Sequence, residues 1–215
     1  MSERGPEGPE RPEGMSEPES DNSIMLPERA EEPASDNSIM VRVRDGHPEE
    51  LGVLFERHHV KLLNFFMKMT GERPASEDLV QESFLRILRY RDSFRGDEGE
   101  FTKWMYRLAR SVAVDHFRRS ARRRTSELDE AMAGEDPSPH DRAETGEAAQ
   151  LLQRSLMKLS PEKREVLVLH RFHFKKFTEI AAILDCSVGT ARTRAHRAMI
   201  DLRKIYLRLE KQVAP

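Results

Sequence analysis

At 215 residues the chain is long enough for one large domain or two small ones, and its 37% hydrophobic content can supply a folded core. Cys186 is the only cysteine, which excludes an intramolecular disulfide and a cysteine-rich zinc site. The formal net charge of −2 conceals a segregation: residues 1–40 hold 3 basic and 11 acidic side chains, whereas residues 41–215 hold 33 basic and 27 acidic ones.

The longest aliphatic run, Val166-Leu167-Val168-Leu169, is far short of the roughly 18 residues needed to span a bilayer. The N-terminus lacks the basic-then-apolar pattern of a signal peptide. The expectation is a cytoplasmic protein with no membrane insertion.

Residues 1–44 read as an acidic tail, rich in Glu, Pro and Ser, with almost nothing to bury, and are expected to be disordered. The tail contains a duplication. Glu17-Pro18-Glu19-Ser20-Asp21-Asn22-Ser23-Ile24-Met25 recurs 15 residues later as Glu32-Pro33-Ala34-Ser35-Asp36-Asn37-Ser38-Ile39-Met40. Two copies are too few for a solenoid, and they fit either a tandem docking motif or a duplication in an unconstrained tail.

Helical periodicity begins near Pro48. Leu51, Leu54, Phe55, Leu62, Phe66 and Met69 predict a helix or helix pair ending at Thr70-Gly71. Ser76, followed by Glu77 and Asp78, is the expected cap of the next helix. On that helix Val80, Phe84, Ile87 and Leu88 form a stripe suited to burial. The opposite side carries Asp78, Glu82 and Arg89 with Leu85 among them and Gln81 at the edge. An apolar residue centred in an acidic face suits a partner-binding helix, although a single exposed Leu is also ordinary. Residues 91–99 read as a polar loop.

A long helix is predicted from about Glu100, with Phe101, Trp104, Met105, Leu108 and Val112 on its core side. The far side presents Lys103, Tyr106, Arg107, Arg110, Phe117 and Arg118. Aromatics among cations suit single-stranded DNA, because a base can stack on a ring while cations follow the phosphates. Phe117 is equally suited to packing on a neighbouring helix, and Trp104 reads as a core residue. Arg118-Arg119 and Arg122-Arg123-Arg124 fit phosphate contacts. These elements make residues 45–120 a small helical domain. Residues 121–147 read as a flexible linker, and 125–147 hold eight acids against one base.

The second domain, residues 148–210, contains Ser160-Pro161-Glu162-Lys163 as a helix start. A helix to about His170 follows, then a short helix from Thr178 to Leu184, a turn at Asp185-Cys186-Ser187 and a last helix from Val188 to about Leu209. Short helix, tight turn and longer helix make a helix-turn-helix. In the last helix Val188, Ala191, Ala195, Ala198, Met199 and Leu202 form the packed side. Thr190, Thr193, Arg194, His196 and Arg197 face away, with Arg192 on the flank, offering long donors to base edges in a major groove. Ser187 is expected to cap this helix. Asp185 stands where such turns often have Gly and tolerates a left-handed backbone.

No catalytic motif is found. His58-His59 and the pair His170/His173 have no carboxylate or cysteine companions, so neither a metal nor a cofactor is expected. No strand-like alternation occurs. The predicted fold is all-α: two small helical domains joined by a flexible acidic linker, the second a helix-turn-helix domain, preceded by a disordered N-terminal tail.

These motifs together resemble the extracytoplasmic-function (ECF) group of bacterial RNA polymerase sigma factors. Asp78-Leu79-Val80-Gln81-Glu82 resembles the core-polymerase-binding helix. Phe101-x-x-Trp104-Met105-x-x-Leu108-Ala109-Arg110, then Asp115-x-x-Arg118-Arg119, resembles the promoter-melting helix that reads the minus-ten element. Leu159-Ser160-Pro161-Glu162-x-Arg164-Glu165-Val166, Glu179-Ile180-Ala181 and Ser187 to Arg197 resemble the minus-thirty-five-reading domain.

The resemblance implies an alternative sigma factor, not an enzyme, that binds core RNA polymerase and promoter DNA, duplex and single-stranded. Asp78, Leu79, Gln81, Glu82 and Leu85 would bind core polymerase. Tyr106, Arg107, Arg110, Ser111, Asp115, Arg118 and Arg119 would lie at the minus-ten element, with the loop Asp92–Gly99 receiving a flipped base. Thr190, Arg192, Thr193, Arg194, His196 and Arg197 would face the minus-thirty-five element. The sequence departs from the group at Ser111, where Asn is frequent, at Phe174-Lys175, in place of a usual Gly-Leu, and in its long tail. With no C-terminal sensing domain, a separate anti-sigma protein is the expected regulator. The competing readings are a conventional helix-turn-helix regulator acting without core polymerase and an adaptor that works through the duplicated tail.

Overall fold

The computed structural model describes residues 34–96, 100–126 and 146–213, all within one compact unit, Ala34–Pro215. Its helices are α1 (Asp36–Arg44), α2 (Leu51–Thr70), α3 (Arg73–Arg89), α4 (Phe101–Ser126), α5 (Glu147–Met157), α6 (Pro161–Leu167), α7 (Phe177–Leu184) and α8 (Val188–Val213). No strand occurs among the described residues, in agreement with the all-α expectation.

The first helix corrects the reading of residues 1–44 as wholly disordered. Ser35 caps α1 by accepting the Ser38 amide at 3.1 Å, and Ile39, Met40 and Val43 are buried on one side of it. Asp36 accepts from Arg57 at 2.9 Å and from His58 Nε2 at 2.7 Å. Burial acts against the Asp36 charge, but these two bonds outweigh it and hold its carboxyl below the usual range. The acidic composition hid a short apolar stripe whose helix is stable only because α2 and α4 cover it. The first domain therefore begins at Ala34, while residues 1–33 lie outside the described region.

A 3₁₀ turn, Pro48–Glu50, leads into α2, a single continuous helix. It ends at Gly71, whose φ of +80° is open to glycine at little cost, and a Cβ there would sit 3.1 Å from Met157 Sδ. The start of α3 also differs from expectation. The helix begins at Arg73 with Pro74 in its first turn, so Ser76 is not its cap; Ser76 is fully buried and donates to the Glu72 carbonyl at 2.6 Å. Pro74 starts the helix earlier because its φ is already helical and its missing amide is not needed there.

Rings join these helices. Phe55 meets Phe84 at 4.9 Å between α2 and α3, and Phe65 meets Tyr106 at 5.6 Å between α2 and α4. The segment read as a polar loop is a 3₁₀ turn, Arg91–Ser93, followed by a buried Phe94. The rest of that loop, 97–99, lies outside the described residues. Helix α4 runs to Ser126, beyond the expected boundary at 120; the acidic linker, 127–145, is likewise outside the description.

In the second domain Ser160 has the extended backbone of a cap, but its side chain makes no capping bond. Helix α6 passes at Val168 into a π-turn, Val168–Phe172. Two non-glycine residues then take left-handed backbones: Phe174 at φ +54° and Asp185 at φ +52°. The second is the turn expected at Asp185. The first shows that Phe174 adopts a backbone that glycine would take more easily, so the turn before α7 forms despite the substitution. Helix α8 packs on α5, α6 and α7 through Ala191, Ala195 and Ala198, all buried.

The two domains dock on each other at the C-terminal end of α2. Helix ends leave carbonyls without partners, and here the second domain supplies donors. Gln153 donates at 2.8 Å to the Met67 carbonyl, as a second donor beside the Gly71 amide. The buried Arg164 guanidinium reaches the Met69 carbonyl and also holds those of Leu156, Met157 and Leu159 at 2.7–3.0 Å.

Candidate nucleic-acid interface

Helix α8 carries the open half of the candidate site. Ser187 Oγ accepts the Thr190 amide at 3.0 Å, the cap expected from sequence. Thr190, Arg192, Thr193, His196 and Arg197 are exposed, and Arg194 is half-buried beside them. Arg192 also lies over the Phe177 ring, 5.9 Å from its centroid, which anchors its stem against α7. Between α6 and the start of α8 lies a concavity of about 590 Å³. Ser160, Lys163, Ser187, Thr193, Arg194 and Arg197 are among its lining residues, together with one carboxylate, Glu162. Hydroxyls, amides at a helix start and cations around one hollow suit a backbone phosphate.

Helix α4 is the covered half. Arg107, Ser111, Arg118 and Arg119 are exposed as expected. Tyr106 is not: it is 2% exposed, and its hydroxyl bonds to Nδ1 of His173 in the second domain at 2.8 Å. Helical geometry put Tyr106 opposite Phe101 and Leu108, but a second wall, built by α2 and the π-turn, closes over that side. Burial holds the Tyr106 phenol well above its ordinary range and presses His173 down to about 4, helped by the charges of Lys175 and Lys61. Among the described residues the buried phenol has no other acceptor, so it donates here and the neutral imidazole accepts at Nδ1. Lys175 lies 5.6 Å from the Tyr106 ring centroid. Phe117 takes its packing alternative: it lies half-buried, with the Arg164 guanidinium 5.9 Å from its ring centroid. Trp104 sits beside Phe94 at 5.3 Å, on the core side as read.

Arg110 is half-buried and pairs with Glu165 of α6 at 3.3 Å. Burial raises the Glu165 carboxyl above its ordinary range, against the opposing pull of Arg110. Burial also lowers the Arg164 guanidinium to about 10, which still leaves it charged at neutral pH.

On α3, Asp78, Gln81 and Leu85 are exposed, Leu85 at 57%, and Glu82 is half-buried. Leu79 is 3% exposed and belongs to the core, which removes it from the interface set. The motif match at Leu79 reflects packing, since it lies one residue from Val80 on the stripe that faces α2 and α4. Arg86 was not singled out from sequence. It bonds Glu82 at 2.9 Å, Ser111 at 2.9 Å and Asp115 at 2.8 Å, and so ties the acidic face of α3 to the exposed face of α4. Its i,i+4 spacing from Glu82 was visible in the sequence; its reach to α4 was not. Among the described residues no cluster of histidine, cysteine and carboxylate could hold a metal ion, and no helix is long and apolar enough to cross a membrane.

A helical domain carrying a helix with an exposed acidic face and a basic long helix, followed by a helix-turn-helix, is the plan of a sigma factor. Residues 54–123 match the Sigma-70 region 2 family and residues 149–202 match the Sigma-70, region 4 family. The RNA polymerase sigma factor CarQ of Myxococcus xanthus is 32% identical over 177 residues, covering 80% of this chain and 98% of that one. The ECF RNA polymerase sigma-E factor of Salmonella typhimurium is 31% identical over 169 residues, covering 73% and 86%. The fold is also that of CnrH, solved in complex with the cytosolic domain of CnrY: TM-score 0.60, 23% identity, 84% of this chain and all of that one. The chain belongs to the ECF sigma factors: it is an alternative sigma factor, which directs RNA polymerase to promoters.

Proposed function

We propose that the chain works in the cytoplasm as a non-catalytic initiation factor whose three surfaces engage in a set order. Asp78, Gln81, Glu82 and Leu85 on α3 dock on core polymerase. Thr190, Arg192, Thr193, Arg194, His196 and Arg197 on α8 read duplex DNA at the minus-thirty-five element. Arg107, Arg110, Ser111, Asp115, Arg118 and Arg119 on α4 hold the minus-ten strand. The exposed α8 face beside a hydroxyl-lined, cationic hollow is the observation that carries this reading.

The packing of the two domains adds a condition. Arg110 is paired with Glu165, and Tyr106 is covered by His173, so a strand cannot reach all of α4 until the domains part. Core binding is the event expected to part them, with the free energy of docking offsetting the lost interdomain bonds. A protein that holds the domains together would inhibit. CnrH was solved with the cytosolic domain of CnrY, and the Bartonella quintana sigma factor RpoE, of the same fold at TM-score 0.60, with the anti-sigma factor NepR. A partner of that kind, an anti-sigma protein, is therefore proposed here.

The test is transcription from a genomic promoter library with purified core polymerase, with and without the protein. Transcripts sharing two spaced upstream elements support the reading. Binding to duplex DNA alone, with no new transcripts, overturns it. Replacing Glu82 and Leu85 should remove core binding while leaving the fold intact, and unchanged core affinity would refute the α3 assignment.

A further inference from the structure

The six residues that seat the first half of α1, Ser35 to Met40, all fall within the segment that the sequence repeats. Ser35 caps the helix, and Ser38 Oγ donates back to the Ser35 carbonyl at 2.8 Å. Asp36 holds Arg57 and His58. Asn37 Oδ1 accepts the Phe101 amide at 2.6 Å and thereby caps the start of α4. Ile39 and Met40 fill the groove at 2% and 0% exposure. Every side chain of Ser35-Asp36-Asn37-Ser38-Ile39-Met40 thus has a contact of its own. The same hexapeptide stands at Ser20-Asp21-Asn22-Ser23-Ile24-Met25, outside the described residues.

We propose that the groove filled by the first half of α1 is a recognition site for this hexapeptide, and that its second occupant is the first copy, Ser20–Met25, of the same chain. The identity of all six contact residues gives the first copy the same hydrogen bonds and the same apolar payload. Tethering 15 residues upstream gives it a high effective concentration at the groove, and the longer loop this exchange leaves before α2 costs little.

The copies diverge where α1 continues. Val41-Arg42-Val43-Arg44 corresponds to Leu26-Pro27-Glu28-Arg29. Pro27 has no amide for the helix and its ring collides with the carbonyl four residues back. Glu28 would replace Val43, which is fully buried. The first copy can therefore seat one turn but cannot extend it, and the second copy dominates.

Exchange would release what the second half of α1 holds. Arg42 leaves Glu50, and Arg44 leaves the Phe94 carbonyl, bonded at 3.2 Å. Val41 leaves Gly96, where its methyl lies 2.9 Å from the position of an added Cβ. The segment Phe94–Gly96 thus loses its support from α1. That this matters for a flipped minus-ten base rests on the sigma-factor reading of the loop; the docking itself does not.

The experiment is a double-mutant cycle in the full chain, read by thermal unfolding at several protein concentrations. Ile24→Asp alone leaves Tm unchanged. Ile39→Asp lowers it, and the double variant falls at least roughly 3 °C further, because the spare copy has also been removed. Equal Tm values for Ile39→Asp and the double variant overturn the proposal. Completing the first copy, Pro27→Arg with Glu28→Val, in the Ile39→Asp chain restores Tm towards wild type, and no recovery also overturns it. A Tm of Ile39→Asp that rises with concentration, with a dimer in light scattering, identifies the occupant as a second molecule and overturns the assignment to the same chain. No readout here needs polymerase or DNA, so a failure of the sigma-factor reading would show separately, as absent transcription beside a coupled cycle.

Discussion

Helices α4 and α8 are both basic, and on the proposed reading each carries the DNA-facing residues of its domain. They differ in what covers them. The far side of α8 is solvent-exposed along Thr190, Arg192, Thr193, His196 and Arg197, whereas α4 has Tyr106 buried against His173 and Arg110 paired with Glu165. On the proposed function, a chain in this state presents its duplex reader and withholds its single-strand reader. That asymmetry suits a factor that must find a promoter before opening it.

The largest way to break the contrast is Arg164→Ala. The variant removes a buried cation that donates to carbonyls from both domains; the Leu156 carbonyl keeps the Leu159 amide, while those of Met69, Met157 and Leu159 lose this donor. A loss of about 3 kcal/mol or more is expected, by denaturant unfolding. Hydrogen exchange should rise at the end of α2 together with α6. Exchange confined to α6 would show that Arg164 serves its own domain alone.

Next in size is Arg197→Ala on the open helix. It should cost roughly 1–3 kcal/mol at a cognate promoter in the assembled polymerase complex and relax one base preference. An equal loss on scrambled DNA would make Arg197 a phosphate contact only. The fold should be unaffected, because Arg197 is exposed.

What the sequence could show follows the same division. The α8 face was legible because a helix on three buried alanines leaves only one side free, and helical spacing decides which. The α4 face was half legible: Arg107, Ser111, Arg118 and Arg119 are exposed as read, but periodicity knows only one core. It could not show a second domain closing over Tyr106, nor Arg86 reaching across from α3. Helix α1 escaped for a related reason. Its stripe of Ile39, Met40 and Val43 is too short to rise above an acidic, Pro-rich background, and several of its partners, His58 and Phe101 among them, lie more than 20 residues away in sequence.

The covered helix can be sharpened by pH. His173 is neutral in the folded chain with its pKa down at about 4, against an ordinary 6.5. A depressed folded value means that its contribution is fully present above pH 6.5 and is lost as the pH falls from 6.5 towards 4. The groups facing it are Tyr106 from α4, Lys61 and Phe65 from α2, and Lys175 beyond the π-turn. Tyr106→Phe should cost about 1 kcal/mol at pH 7. It should also reduce the acid-side loss of stability, because protonating His173 then sacrifices no acceptor. An unaltered pH profile would show that burial and the neighbouring lysines, not the phenol, keep His173 neutral.

The smallest effect expected is a gain. Phe174 holds φ +54° with its side chain 84% exposed, so it carries the cost of a left-handed backbone and recovers almost no burial. Phe174→Gly should therefore raise stability by about 1 kcal/mol, since the relief of strain exceeds the entropy that a glycine adds to the unfolded chain. The position also lies between the covered and open halves, just before α7. If Phe174→Gly stabilises the free chain and leaves transcription unchanged, the ring has no role in either half. A stabilised chain with weaker transcription would place the exposed ring on a surface used only after the domains part.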